Sequence, residues 1–298
     1  MTEAQEPAPP FGTLPWDQYV IEKWDAALPV SKEQQKKDLV TTWIGLGRYG
    51  RTAYFQRAMD WDDEVPSHVP QDLLSEADRC LDELGLIQML WIRTWYGTEF
   101  KSSDHDQASS STGATEAVTR ASTDAGYRRL HDKAFLWDPS NNDSGYDDDA
   151  IANANIYDND SDAFGVVQQS ADDDVVQVGT MPSFVLSVFM RCPDMLDRMG
   201  DEDWRSDDAQ TITAVEDEVD NTQIVLAMII DREAIEDGWV LEVALNHKGQ
   251  VLPTRARNKA SRVRDDMANW TTQGEPLDLG DEPQDRVDYG AGDGWDDN

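Results

Sequence analysis

The sequence predicts an α+β protein, with a mainly helical N-terminal half, a mixed or antiparallel sheet with helices in the C-terminal half, and extended arms at both ends. Three observations carry this expectation. Apolar residues recur at helical spacing over residues 31–59 and 71–84, and short β-branched runs bounded by turn residues fill residues 175–252. Proline, glycine and acidic residues dominate the two termini. With 298 residues, 39% of them hydrophobic and 11 of them Trp, the chain can bury a sizeable core without disulfides.

The elements follow in chain order. Pro7, Pro9, Pro10, Pro15 and Pro29 alternate with Phe11, Trp16, Tyr19 and Trp24, which predicts an extended arm over residues 1–30 carrying aromatic anchors. Ser31 is placed to cap a helix from Lys32, with Leu39, Val40, Trp43 and Ile44 on its apolar face and Tyr54, Phe55, Ala58 and Met59 continuing it. A second helix starts near Pro70, and Gly85 ends or kinks it before the apolar stretch 86–95. Residues 31–100 thus read as a helical domain. Residues 101–174 read as a linker and acidic low-complexity loops, because Ser, Thr, Asp and Asn displace apolar residues there, with residues 127–137 able to pack as a short element. The α+β domain spans 175–272, with strands at 175–178, 183–190, 223–231 and 239–246. A hairpin turn at 246–250 and helices at 195–199 and 255–270 complete it. Residues 273–298 form an acidic tail with Trp295 among its anchors.

Charge is the strongest compositional signal. There are 43 Asp and 17 Glu against 17 Arg and 8 Lys, a formal net charge of −35 spread along the whole length. In dilute buffer such a chain repels itself, whereas at about 1 M salt the screening length is about 3 Å and the penalty fades. Asp carries a hydrated carboxylate on a short stem, and scarce Lys removes flexible methylenes that strong salt would drive together. This composition resembles that of haloarchaeal proteins. The longest uncharged stretches fall far short of the roughly eighteen residues a membrane helix needs, and Met1 opens no export signal. Two widely spaced cysteines, Cys80 and Cys192, exclude a disulfide scaffold or a thiolate zinc site as the organising feature.

Several motifs have both a chemical and an ordinary reading. Residues 45–50 match G-x-G-x-x-G, but a dinucleotide loop needs a strand before it and an acid-bearing strand after it, and the following region is punctuated by Pro66 and Pro70. The ordinary reading is a small-residue stripe or kink between helical segments. Asp158, Asp160 and Asp162 alternate as in the first half of a calcium loop and resemble an EF-hand, although Ala163 and Gln169 replace its glycine and closing glutamate. A loose Ca²⁺, Mg²⁺, Na⁺ or K⁺ site competes there with a solvated acidic loop; no other cofactor is expected. The residues 81–87 are similar to the helix-end phrase of winged-helix regulators, yet the preceding helix is acidic and would repel phosphate. No histidine pair has metal-ligand spacing and no nucleophile elbow is present, so no catalytic residue is assigned. Among 60 acids, no carboxylate pair can be singled out.

The most informative local feature is charge reversal. Arg48, Arg51 and Arg57 occur without an acid between Leu39 and Met59, and Lys248, Arg255, Arg257, Lys259, Arg262 and Arg264 occur without one between His247 and Arg264. Arg257, Ser261 and Arg264 fall on one stripe if that segment is helical. Such patches suit subunit interfaces, nucleic-acid phosphates or internal ion pairs, and molar salt weakens the phosphate option most. Together with the arm anchors Phe11, Trp16, Tyr19, Trp24 and Trp295, they point to a non-enzymatic subunit of a large assembly. Its partners are copies of itself and other structural proteins, with nucleic acid less favoured and no membrane. Arms that lie over neighbours resemble those of virion structural proteins of haloarchaeal tailed viruses, in architecture only. The expectation is a head–tail connector or adaptor, capsid or tail component, found in the virion and in the cytoplasm of a halophilic host during assembly. The alternatives are a DNA-associated regulator using residues 248–264 and an intracellular enzyme using the loop at 45–50.

Overall fold

The computed structural model describes residues 12–60, 69, 89–97, 113–135, 156–160, 176–191, 193, 222–270, 276–277 and 294–295, residues 113–121 by their backbone. Two compact units interleave along the chain. The first comprises Met1–Ile87, Thr180–Ile224 and Leu245–Gln250; the second comprises Gln88–Gly179, Val225–Ala244 and Val251–Asn298. The chain is α+β, with seven helices and five strands among the described residues.

In the first unit, α1 (Pro15–Lys23) begins with proline at its first turn, where the missing N–H costs nothing. The Asp17 carboxylate accepts the Gly12 N–H at 2.7 Å and the Leu14 N–H at 3.4 Å, holding the chain as it enters the helix. This corrects the expected extended arm at residues 15–23: Trp16, Tyr19 and Val20 share one helical face and are buried. As expected, Ser31 caps α2 (Lys32–Gly45), its Oγ accepting the Gln34 N–H at 3.1 Å. Then α3 (Gly47–Met59) follows after a one-residue break. Trp16, Tyr19, Trp43 and Tyr54 form a chain of edge and tilted ring contacts, with centroids 5.0–5.7 Å apart, that joins all three helices. The Trp43 indole donates to the Pro193 carbonyl at 2.9 Å.

Residues 183–190, expected as a strand, instead form α5 (Ser183–Phe189). Phe184, Val185, Val188 and Phe189 are buried, a spacing of one helical stripe, and α5 packs on α2. A short apolar run fits strand and helix equally until packing decides. The turn at 246–250 is as expected: the Asn246 side-chain oxygen accepts the N–H of Lys248 at 2.9 Å and of Gln250 at 3.0 Å, and Gly249 has φ +65°. A Cβ on Gly249 would come within 2.8 Å of Val185, so this turn also requires glycine for space.

The second unit is built on one sheet of order β2-β1-β3-β4-β5. Strand β1 (Met89–Arg93) is parallel both to β2 (Ile156–Asp158) and to β3 (Val225–Ile230). The Ile224 N–H donates to the Leu245 carbonyl, which runs β4 (Trp239–Leu245) antiparallel to β3; the turn at 246–250 then makes β4 and β5 (Val251–Lys259) a hairpin. The sheet is therefore mixed. The strand that makes it so, β1, comes from the half expected to be mainly helical. Strands β1 and β3 are buried at every position, as parallel strands covered on both faces are.

Helix α4 (Gly113–Phe135) connects β1 to β2 and occupies much of the stretch expected as linker. Its tyrosine and apolar positions supply the reason: Tyr127, Leu130 and Ala134 are buried, and Trp91 of β1 meets Phe135 at 5.0 Å. Gly126 lets α4 approach α6 (Arg232–Asp237), since a Cβ there would lie 2.7 Å from Ile235. Residues 255–259, expected to open a helix, continue β5, and only α7 (Val263–Ala268) is α-helical in that stretch. Residues 176–178 form no strand. The expected helices at 71–84 and 195–199 lie outside the described residues.

Candidate functional site

The chain order of the three parallel strands directs attention to their carboxyl ends. From β1 the chain crosses to β2 on one side and later returns to β3 on the other, the arrangement in which open α/β sheets form a crevice at the strand ends. Arg93, the last residue of β1, stands there and is 2% exposed. Its guanidinium donates to Asp160 at 2.8 Å, to Asp124 of α4 at 2.7 Å and to the Trp95 carbonyl at 3.2 Å. It also lies 4.5 Å from the ring centres of both Tyr96 and Tyr127. Burial works against this cation, and the two carboxylates outweigh it, so the pKa of Arg93 is raised.

Around this cation the polar groups are matched. Asn159 exchanges two hydrogen bonds with the Arg93 backbone, at 2.7 and 2.9 Å, extending the β1–β2 ladder with a side chain. The Trp91 indole donates to the Tyr127 hydroxyl at 3.1 Å, and that hydroxyl donates to Asp158. Burial pushes the Asp158 carboxyl above its ordinary range and, together with the Asp158 charge, pushes the Tyr127 hydroxyl up. Asp158 and Asp160, expected as metal ligands, thus face a tyrosine, a backbone N–H and an arginine; Asp162 lies outside the described residues. The network clasps β1, β2 and α4 together at the end of the sheet where a ligand crevice would open.

A second polar cluster lies between β4, β5 and α7. Glu242 is completely buried, and the Asn258 amide donates both to it at 2.9 Å and to Asp266 at 3.1 Å. Burial, then the Asp266 charge, pushes the Glu242 carboxyl well up; burial pushes Asp266 up to about 6. Sequence reading could not single out this pair among 60 acids, because the signal is contact and burial, not spacing.

The basic residues divide sharply. Arg257, expected on a helical stripe, is on β5 with its head turned inward: it contacts both carboxylate oxygens of Asp231, Glu233 at 3.2 Å and the Trp239 carbonyl at 2.8 Å. Asp231 is itself the cap of α6, so the arginine locks a helix start to an adjacent hairpin. Ser261 and Arg262 lie in the turn before α7, and Arg264 is on α7, so the stripe does not form. Lys259 rests 5.9 Å from the Trp239 ring centre, and Arg255 is half-buried on β5. In the helical unit, Arg51 is fully buried and donates to the carbonyls of Trp43 and His247. Arg57 stays exposed and pairs with Glu22 at 2.7 Å, and the hydrogen bonds from Lys23 and Arg57 hold the Glu22 carboxyl below its ordinary range. Arg48 is half-buried near the start of α3, and Lys248 packs against Gly47.

Gly47 has φ +63° and marks the break between α2 and α3, so the segment 45–50 follows a helix where a dinucleotide loop follows a strand. Of the expected arm anchors, Trp16 and Tyr19 belong to the helical core, and Trp24 is half-buried at the end of α1. Trp295 docks on its own unit, donating to the Glu236 carbonyl at 3.1 Å with Arg129 stacked 4.0 Å from its ring centre. Phe11 lies outside the described residues.

The helical unit leaves a short apolar run exposed. Between α1 and α2, Ala26, Ala27, Leu28, Pro29 and Val30 are all exposed, with Leu28 at 45% and Val30 at 46%; Met59, at the end of α3, is 65% exposed. The flanking charges are mixed: Lys23, paired with Glu22 at 2.6 Å, and Asp25 precede the loop, and Lys32 and Glu33 follow it. Residues 32–59 hold six basic and two acidic side chains in a chain of net −35. No sequence signal marked residues 26–30, because a short Ala, Leu, Pro and Val run resembles any buried connection until its exposure is known. No helix among the described residues is long and apolar enough to cross a membrane. No protein-family model, curated protein or solved structure matches the chain.

Proposed function

We propose that this chain is a non-enzymatic structural subunit of a large assembly that forms in concentrated salt, a component of a haloarchaeal virus particle such as a head–tail connector, capsid or tail protein. The observation that carries the reading is the exposed apolar loop at residues 26–30. A run of that length left in water signals a contact surface, and concentrated excluded salts strengthen its burial. Full burial of an exposed Leu or Val is worth about 1.5–3 kcal/mol; from half exposure each gains about half of that. The partner is a second copy of this chain, whose net charge of −35 supplies acidic surface to the basic side chains of residues 32–59.

A DNA-associated regulator is the second reading, favoured by the six basic side chains of residues 32–59. Its phosphate contacts weaken steeply as salt rises, while the apolar loop gains. The test is sedimentation velocity in multimolar KCl on the wild type and on the doubly substituted Leu28→Asp, Val30→Asp protein. Assembly of the wild type and its loss in the variant, at unchanged circular dichroism, is the expected result. Equal assembly in both, or a salt-resistant mobility shift with duplex DNA, overturns the reading.

A further inference from the structure

Two carboxyl groups and one amide occupy the space between β4, β5 and α7, and nothing in the assembly reading uses them. Glu242 points from β4 with none of its surface exposed, and Asp266 points toward it from the first turn of α7. A single amide nitrogen, that of Asn258 on β5, donates to both. That nitrogen has two hydrogens, so each carboxyl receives one, and the other Glu242 oxygen, Oε1, has no hydrogen-bond donor. Two fully ionised carboxylates held by one neutral amide in a buried site repel each other strongly. The amide presents its donor side, an orientation suited to carboxyl oxygens and opposed to a cation.

We propose that Glu242 and Asp266 share one proton and form a pH-sensitive latch that fastens α7 to the sheet. While the proton is present, one carboxyl donates to the other and the amide satisfies the remaining acceptors. When it leaves to solvent, two negative charges face each other and α7 separates from β4. The charged groups nearby support this polarity. From α7, Asp265 adds further negative charge beside Asp266; from the preceding turn, Arg262 opposes it weakly; from β5 the facing group is the neutral Asn258; and the charge acting on Glu242 is that of Asp266 alone. Both folded carboxyls are raised, so the stabilisation is complete at low pH and is lost as pH rises through their folded values, the reverse of an ordinary surface carboxylate.

The experiment is hydrogen exchange of the full chain in multimolar KCl between about pH 6 and about pH 9, corrected for intrinsic exchange, on wild type, Glu242→Gln and Asp266→Asn. One proton released on opening lowers protection by about tenfold per pH unit between the ordinary carboxyl range of the open state and the raised folded value, and protection levels off above it. The expected result is such a loss confined to residues 263–268 in the wild type, absent from β3 and absent from both variants. The infrared band of a protonated carboxyl should also be present in the wild type at neutral pH and missing in Glu242→Gln. Protection that is independent of pH, a loss shared by both variants, a missing band, or protection restored by Ca²⁺ or Mg²⁺ at high pH would each overturn the latch.

Discussion

Arg93 and Arg257 in the sheet unit each meet two carboxylates of their own chain, whereas the helical unit carries six basic side chains over residues 32–59 against two acidic ones. Both groups look alike in sequence, as cations in a strongly anionic chain. The difference is what surrounds them. The sheet arginines sit at strand ends and helix caps, where Asp124, Asp160, Asp231 and Glu233 converge, and they act as internal clasps. In the helical unit Arg51 is buried against two carbonyls and Arg57 pairs with Glu22 at the surface, and what stands outward beside them is the apolar loop at 26–30. A basic residue in such a chain indicates a partner only after its own acids have been counted against it.

The comparison breaks most visibly at Arg93. Arg93→Ala strands Asp124, Asp160 and the two tyrosine rings, so an unfolding free energy lower by about 3 kcal/mol is expected from denaturant titration in multimolar KCl. A loss below about 0.5 kcal/mol would show that the clasp is ornamental. Gly126→Ala comes next: the added methyl meets Ile235, and about 1–3 kcal/mol of overpacking should appear in the same titration, because the sheet unit tolerates no spacer between α4 and α6. The helical unit should behave in the opposite sense. Leu28→Asp with Val30→Asp should change unfolding by no more than about 0.5 kcal/mol while abolishing association. Smallest of all, Lys37→Glu on the exposed side of α2 should weaken association only a few-fold in multimolar KCl, since screened rim charges contribute about 0–1 kcal/mol.

Much of the fold was legible where local chemistry decides it. Ser31 before Lys32 marked a helix start, Asn246 to Gly249 marked a hairpin, and the apolar runs at 223–231 and 239–246 became β3 and β4. What was not legible depends on partners distant in sequence. Phe184 to Phe189 reads as a strand until α2 covers one side of it, and Met89 to Arg93 becomes a strand by pairing with residues 156–158 and 226–230. Proline at 15 suggested an arm, although proline is welcome in a first helical turn. The site residues followed the same rule. The basic stretches were visible as charge patterns, but whether Arg257 or Arg51 faced outward depended on Asp231 and on the carbonyls of Trp43 and His247, more than twenty residues away in one case and in the other partly so. The Glu242–Asp266 pair left no trace in spacing at all.

The proposed assembly has the apolar loop at residues 26–30 docking on a sister chain in concentrated salt. The most direct measurement is the mass distribution of the purified wild type by sedimentation velocity as KCl is raised from dilute to multimolar at fixed protein concentration. Apolar docking predicts that the assembled fraction grows with KCl once the chain is folded. Assembly that dissolves as salt rises, or a single-copy species at every concentration of KCl and protein, would contradict it.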